Sequence, residues 1–199
     1  MARTLRVASA LALVVLVSAV AGVGRANAGL LGCQYPTVTQ PFAFWGDLTH
    51  YYLSPGGGFE SSGWKLGSGA SVTSGNESFY VGSGDDSHSL SLAPGATAQS
   101  PYSCITALDL KVRMFVRSEQ SAPVRIDIVV PTLLGLVKVA TPVTVQATPD
   151  WQPTSAIVNL TNLLSATMLG GSNIGVRVTA VGSAPVQVDD VYIDPTWYY

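Results

Sequence analysis

The feature that most constrains this chain is a strict two-residue alternation of apolar side chains in two neighbouring segments. Residues 111–116 place on one face Val112, Met114 and Val116. In residues 123–130 one face carries Val124, Ile126, Ile128 and Val130, and the other carries Arg125, Asp127 and Val129. A period of two puts successive side chains on opposite faces of a strand. Both segments are therefore predicted to be strands with one face in a core.

Further strand-like segments occur at 87–92, 136–145, 156–160 and 174–181, separated by turns rich in Gly, Pro, Ser and Asp. This spacing is typical of an all-β, antiparallel sandwich or barrel. Residues 158–168 have apolar positions near helical spacing, but the segment is short, and we expect a strand that runs into a loop. Residues 29–56 mix aromatics with Pro and Gly, which predicts an irregular segment draped over a sheet. We read 29–199 as one domain.

Residues 1–28 have the form of a secretory signal peptide. Arg3 and Arg6 precede an uncharged apolar run over 7–23, and Ala26-Asn27-Ala28 is a small-residue cleavage site. We therefore expect a secreted, extracellular or cell-surface protein without a membrane span after cleavage. A membrane anchor and a lipidated Cys33 are the alternatives. The apolar run is marginally short for a span, and the cleavage site separates Cys33 from it.

The charge balance excludes some partners. The chain has ten Lys and Arg against twelve Asp and Glu, and removal of the leader would leave seven basic residues and a net charge of −5. Nucleic-acid binding needs clustered Lys and Arg, so it is not expected, nor is attraction to an anionic membrane. The two cysteines, Cys33 and Cys104, predict one disulfide in an exported chain, with two free thiols as the alternative.

The segment 186–194 reads Val-Gln-Val-Asp-Asp-Val-Tyr-Ile-Asp and breaks its own alternation. The two valines before the paired aspartates share one face of a strand, whereas the Val and Ile after them have the opposite parity. A β-bulge at Asp189-Asp190 would restore a single apolar face. Otherwise one carboxylate would enter the core, where it needs hydrogen bonds, a cation or a metal.

A second short motif, Gly57-Gly58-Phe59-Glu60 followed by Gly63-Trp64, stands near the front of the domain. If the first and last strands pair, Glu60 would meet Asp189 or Asp190. Calcium accepts several carboxylate and carbonyl oxygens in flexible geometry, so these three acids are candidate calcium ligands. The alternative is that they cap turns or accept backbone N–H bonds without an ion.

The front motif and the late Val-Asp-Asp-Val together resemble jelly-roll carbohydrate-binding modules of the galactose-binding-like type. The resemblance covers roughly residues 54–195. It implies an antiparallel β-sandwich of jelly-roll type, carbohydrate or surface binding, and a structural calcium held by Glu60 and Asp189 where the ends meet. Gly58 departs from the pattern, because an acid is common there. The chain is also similar to small bacterial exported proteins of unassigned function that share elements at 41–47 and 76–81.

Carbohydrate binding needs exposed aromatic faces that stack on sugar rings. Trp151 follows Pro149-Asp150 in a turn and is expected to be exposed, whereas Trp64 is expected in the core. We predict Trp151, Tyr80 and Tyr102 as ligand-binding residues, with a polysaccharide or cell-surface glycan as the partner.

Catalytic motifs are scarce in this sequence. It contains neither Gly-x-Ser-x-Gly nor His-Glu-x-x-His. Asp86-Ser87-His88 brings triad-type side chains together, but adjacent residues in a turn seldom align as a triad. We therefore expect a binding module without catalytic activity. A structural cell-surface protein acting through protein contacts is the alternative, and a glycan-active hydrolase is a further one.

Overall fold

Two antiparallel sheets enclose a hydrophobic core in the computed structural model, which describes residues 37–105, 111–131, 137–158 and 172–194. A short 3-10 helix, Ala43–Trp45, precedes the strands. The strands are β1 (Tyr52–Leu53), β2 (Lys65–Leu66), β3 (Ala70–Ser74), β4 (His88–Leu92), β5 (Thr97–Gln99), β6 (Ser103–Ile105), β7 (Lys111–Arg117), β8 (Pro123–Pro131), β9 (Val137–Gln146), β10 (Gln152–Pro153), β11 (Ile157–Val158), β12 (Ser172–Ala180) and β13 (Val186–Asp194). This is the predicted β-sandwich of jelly-roll type, and the fold class is confirmed.

Sheet I has the strand order β10-β7-β13-β4-β3, with β1 paired to β13 and β11 paired to β7. Sheet II has the order β2-β5-β12-β8-β9, with β6 paired to β12. The last described strand, β13, therefore lies in the middle of sheet I between β7 and β4.

The core follows the predicted alternation. The core residues of sheet I come from β4, β7 and β13 and are all buried: Leu90, Leu92, Val112, Met114, Val116, Val186 and Val188. Sheet II contributes from β8 and β12 Val124, Ile126, Ile128, Ile174, Val176 and Val178. Burial of such aliphatic side chains stabilises each by about 1.5–3 kcal/mol relative to exposure. The side chains that alternate with them lie on the outer faces of the two sheets.

The front and rear of the domain meet as the two motifs predicted. Tyr52 pairs with Ile193 and Leu53 with Tyr192 in antiparallel register. The Val191 N–H donates to the Gly57 carbonyl over 3.0 Å. A Cβ at Gly57 would lie 2.7 Å from the Val191 carbonyl oxygen, so this close approach requires glycine.

Several predictions fall on parts of the chain that the structure does not describe. The proposed leader at 1–28, Cys33 and most of the ambiguous segment 158–168 lie outside the described residues. The Cys33–Cys104 disulfide therefore stays a prediction. Within the described ranges, no helix has the length and apolar character needed to cross a membrane.

Candidate functional site

The β13 strand contains the predicted bulge at its paired aspartates. The register against β7 shifts between Asp189 and Tyr192, and Asp190 has φ = 46°, in the left-handed region. The shift puts Val188 and Val191 in the same core, so the apolar face continues through the break in alternation. Both carboxylates are nevertheless fully buried.

Backbone amides from the loop between β3 and β4 hold these two carboxylates. The Glu77 N–H donates to Asp189 Oδ2 over 2.8 Å, and the Gly82 N–H donates to Asp190 Oδ2 over 2.9 Å. Glu77 is also buried, and its carboxylate accepts bonds from the N–H groups of Phe79 and Val81. The segment 76–81 is thus folded around an acidic side chain and anchored to the bulge.

This acidic cluster is electrostatically strained. Burial, reinforced by the neighbouring Asp190 charge, raises the pKa of Asp189 to about 8. Burial, together with the charges of Glu77 and Asp86, raises the pKa of Asp190 to about 7. Burial also raises the pKa of Glu77. No cation among the described residues lies beside these acids. The cluster therefore favours binding of either protons or an added positive ion.

A calcium ion of the kind implied by the resemblance fits one part of this cluster. Asp190 Oδ1 is buried and has no hydrogen-bond partner among the described residues. A Cβ at Gly82 would lie 2.7 Å from Asp86 Oδ2 and 2.9 Å from Asp190 Oδ1, so these two oxygens converge beside a glycine. Within the described ranges, however, no three His, Cys, Asp or Glu side chains form a metal-binding group. Calcium there would depend on backbone carbonyls for its other ligands.

Glu60 lies in a different set of contacts. Its carboxylate accepts bonds from the Ser87 and His88 N–H groups, both over 2.6 Å, and contacts His88 Nδ1 at 2.8 Å. The structure thus brings Asp189 and Asp190 together, while Asp86, which the sequence did not indicate as a metal ligand, takes the place expected for Glu60.

The Ser87–His88–Glu60 contacts do not have the geometry of a catalytic triad. Ser87 Oγ lies 3.1 Å from His88 Nδ1, the same ring nitrogen that contacts Glu60. A triad needs the hydroxyl on one imidazole nitrogen and the carboxylate on the other.

An aromatic layer covers part of the outer face of sheet I. It consists of Phe42, Tyr51, Phe115, Trp151 and Tyr192. Trp151 is only 7% exposed, so the expectation that it is exposed is wrong. Its turn folds back onto β7, where β10 pairs with Val116 and Phe115, and the Arg117 guanidinium lies 5.5 Å from the indole centroid. Trp64 is half-buried against the core, in contact with Phe59.

An ion pair fastens this aromatic layer to sheet I. Arg113 Nη1 lies 2.7 Å from Asp47 Oδ2, and its guanidinium lies 4.1 Å from the Phe42 ring centroid. Tyr51 Oη donates to the same Asp47 oxygen over 2.8 Å. The segment 41–47 thus has a structural role. It covers part of sheet I, and the buried Arg113 holds it there.

The outer face of sheet II is open by contrast and carries a groove of ≈ 330 Å³. Four strands cross it, and their register places Lys65 opposite Gln99, Gln99 opposite Arg177, and Arg177 opposite Asp127. Thr97 and Arg125 also line it. The groove floor is therefore a row of long polar side chains on rigid strands.

Two arginines in this groove are held by neighbouring side chains. Arg177 donates from Nε and Nη2 to Gln99 Oε1 over 3.3 and 2.9 Å. Arg125 donates from Nε to Asp127 Oδ2 over 3.2 Å, and its Nη2 lies 3.1 Å from the same oxygen. Asp127 Oδ1 and Thr179 Oγ1 are buried on this face without a partner among the described residues. The hydrogen-bond donors that this face offers therefore include the remaining N–H groups of the two arginines.

Tyr102 lies on this same face, beside the groove. A Cβ at Gly175 would come within 3.3 Å of Tyr102 Cδ1, so the tyrosine ring covers the glycine two residues before Arg177. Tyr102 is 37% exposed. Tyr80 is 53% exposed but follows Phe79, which packs on Phe115 of sheet I. The two predicted tyrosines therefore belong to opposite faces of the sandwich, and the structure does not bring them together.

Comparison with known proteins supports the fold only. No protein-family model matches the chain, and no curated protein matches its sequence. The structure is similar to the enzymatically active domain of bacteriophage CBA120 tailspike protein 4, with 15% identity and a TM-score of 0.50 over 70% of this chain and 20% of that one. It is similar to an arabinose-bound GH51 α-L-arabinofuranosidase, with 13% identity and a TM-score of 0.50 over 76% of this chain and 27% of that one.

Carbohydrate-binding modules are also among the structural neighbours. The CBM22-1 xylan-binding domain from Paenibacillus barcinonensis has 11% identity and a TM-score of 0.48, over 70% of this chain and 89% of that domain. The class defined by these findings is a jelly-roll β-sandwich. At these identities the likeness concerns architecture, whereas function depends on the side chains of this chain itself.

Proposed function

We propose that this protein is a secreted module that binds a carbohydrate on the outer face of sheet II. The observation that carries the proposal is that a row of polar side chains on rigid strands lines the groove, while the exposed ring of Tyr102 lies beside it on the same face. A sugar ring offers an apolar face to an aromatic side chain and hydroxyl groups to polar ones. Tyr102 supplies the first contact, and Gln99, Thr97 and the two arginines supply the second.

The groove favours binding over hydrolysis. Glycoside hydrolysis by the common mechanisms uses two carboxyl groups that flank the scissile bond. Within the described part of the chain no carboxylate lines this groove; Asp127 lies beside it, opposite Arg177, and is buried and paired with Arg125. A single paired carboxylate suits recognition of hydroxyl groups better than acid–base chemistry.

Replacing Tyr102 with alanine should weaken glycan binding about tenfold, because loss of a stacked ring costs about 1–1.5 kcal/mol. The matched control is Tyr80→Ala, which removes a more exposed tyrosine from the opposite face and should leave affinity unchanged. Titration calorimetry against a ligand found in a polysaccharide screen measures both. Equal losses in the two variants would contradict the assignment to sheet II.

A second candidate function, protein contact at a cell surface, is favoured by one observation. Phe44 is 83% exposed and makes an edge-to-face contact with Trp45, which in turn contacts Phe79. Binding of the labelled protein to intact cells separates the two candidates. Loss of cell binding in Phe44→Ser but not in Tyr102→Ala would favour protein contact.

We also propose that calcium occupies the acidic cluster at the bulge as a structural ion, held in part by Asp190 and Asp86. The unpartnered Asp190 oxygen and the clustered negative charge support this. Millimolar calcium should raise the melting temperature by several degrees relative to chelator, since a ligand present at 100 times its Kd stabilises by about 2.7 kcal/mol. Magnesium at the same concentration is the control for ionic strength, and an unchanged melting temperature in calcium would count against the site.

A further inference from the structure

The cations of this protein are unevenly distributed, and their distribution points to the chemical class of the ligand. Outside the predicted leader the chain has seven Lys and Arg. Three of these, Lys65, Arg125 and Arg177, line the groove on sheet II. The same part of the chain carries twelve Asp and Glu, so a cationic groove stands out against an acidic molecule.

Three cations elsewhere, Lys111, Arg113 and Arg117, each lie within 4.0 Å of a carboxylate. Arg113 lies 2.7 Å from Asp47, and Lys111 Nζ lies 3.4 Å from Asp194 Oδ2. Arg117 lies 4.0 Å from Glu119. In the groove, by contrast, neither Lys65 nor Arg177 has a carboxylate within ion-pair distance among the described residues.

Arg177 is held in position without being neutralised. Its Nε and Nη2 donate to the neutral amide oxygen of Gln99. That contact fixes the plane of the guanidinium, while its remaining N–H groups keep their capacity to donate. A planar arginine fork held in this way matches the two oxygens of a carboxylate.

Arg125 adds a second positive charge that is only partly offset. Its guanidinium shares one oxygen of the buried Asp127, and its side chain is 43% exposed. Counting Asp127, the groove carries three cations and one anion. This modest excess suits one carboxylate per sugar unit better than the dense charge of a sulfated or phosphorylated polymer.

We infer that the groove on sheet II recognises a uronate-bearing, acidic polysaccharide, with Arg177 and Lys65 pairing to sugar carboxylates and Tyr102 stacking on a ring. The inference rests on the proposed carbohydrate-binding function and names its ligand class. The rest of the chain carries a net negative charge, which disfavours binding of such a polymer away from this face. The charge contrast therefore sets the orientation of binding as well as its location.

The test compares each acidic polymer with its own uncharged counterpart. Binding of the mature protein to polygalacturonate, alginate and hyaluronate is measured by affinity electrophoresis and calorimetry, beside carboxyl-reduced preparations of the same polymers. We expect at least one acidic polymer to bind about tenfold more tightly than its reduced form, equivalent to about 1.4 kcal/mol. This preference should shrink as salt is raised from 50 to 500 mM.

Variants then locate the preference within the groove. Arg177→Gln and Lys65→Gln should reduce the affinity for the acidic form and leave the reduced form nearly unaffected. Arg117→Gln, on the face of sheet I, should retain the full preference and serves as the matched control. Because all variants keep the acidic cluster at the bulge, bridging of polymer by calcium would persist in Arg177→Gln and is thereby distinguished from direct pairing.

The outcomes of these experiments separate the inferred ligand class from the proposed carbohydrate binding. Equal binding of acidic and reduced polymers, with loss of both in Tyr102→Ala, would overturn the inference and leave the proposed function standing. Tighter binding of dextran sulfate than of every uronate polymer would also overturn it, because the anion recognised would then be a sulfate. Failure of the protein to bind any acidic or neutral polymer would remove both the inference and the proposed function.

Discussion

Replacement of Arg113 by methionine should lower the free energy of unfolding by about 3 kcal/mol or more, because removal of one partner leaves the other charge uncompensated. Arg113 is buried, pairs with Asp47 and lies over the Phe42 ring. It is the main polar link between the 41–47 element and sheet I. Chemical denaturation of the purified protein measures the change, and loss of the aromatic near-ultraviolet signal reports detachment of the cover.

The matched control is Arg117→Met, on the same strand and the same face. Arg117 lies 4.0 Å from an exposed Glu119, a geometry worth about 1 kcal/mol or less. A loss in Arg117→Met as large as in Arg113→Met would show that general packing on β7, and not the buried ion pair, stabilises the cover.

The Arg113–Asp47 ion pair also predicts that the protein is sensitive to acid. Although burial opposes ionisation, hydrogen bonds from Thr49, Tyr51 and Arg113 lower the pKa of Asp47 to about 2, so its contribution is lost as pH falls toward that value.

The opposite pH dependence is expected from the bulge. In the presence of chelator, lowering the pH from 8 to 5 should raise the melting temperature by several degrees. Asp189 and Asp190 have folded-state pKa values of about 8 and 7 against an ordinary value of 3.8. Between the ordinary pKa and the folded-state pKa, the two aspartates are protonated in the folded protein and ionised in the unfolded chain. Their contribution to the free energy of unfolding is therefore present at low pH and is lost as the pH rises through their folded-state pKa values. Each pKa unit corresponds to about 1.4 kcal/mol.

Asp190→Asn separates this effect from other titrations. The substitution removes one of the crowded charges, and asparagine tolerates the positive φ at this position. In chelator we expect higher stability than wild type at pH 8 and a flatter profile between pH 8 and 5. The variant should also lose the stabilisation by calcium. Asp150→Asn, at an exposed position, should follow the wild-type profile. A wild-type profile that is flat in chelator would contradict the buried, like-charged arrangement.

The sequence correctly predicted the features that depend on which face of a strand each side chain occupies. Alternation in β7 and β8 identified the core faces, and the parity break before Val191 correctly predicted the bulge. The meeting of the Gly57 motif with β13 was also correctly predicted. These succeed because the period of a strand is fixed by backbone geometry, and an apolar face must stay continuous to remain in one core.

The features that were missed depend on register between distant strands. Alternation placed Arg125 and Asp127 on the outer face of β8, but nothing local indicates that Arg177 and Gln99 stand beside them. Trp151 appeared exposed because its turn residues are polar, whereas tertiary packing folds that turn onto β7. Glu60 was placed with the aspartates on the expectation that the first and last strands pair, but its carboxylate accepts hydrogen bonds from the nearby Ser87 and His88 amides instead.

The central position of β13 has a consequence for how the chain is made. Tyr52 and Ile193 are separated by most of the domain, and such distant contacts slow folding because the intervening loop must close first. Sheet I lacks its middle strand until residues 186–194 have been synthesised, so β7 and β4 cannot join into one sheet before then. A chain truncated before Val186 would lose the strand that joins β7 to β4 and, with it, both halves of the sheet.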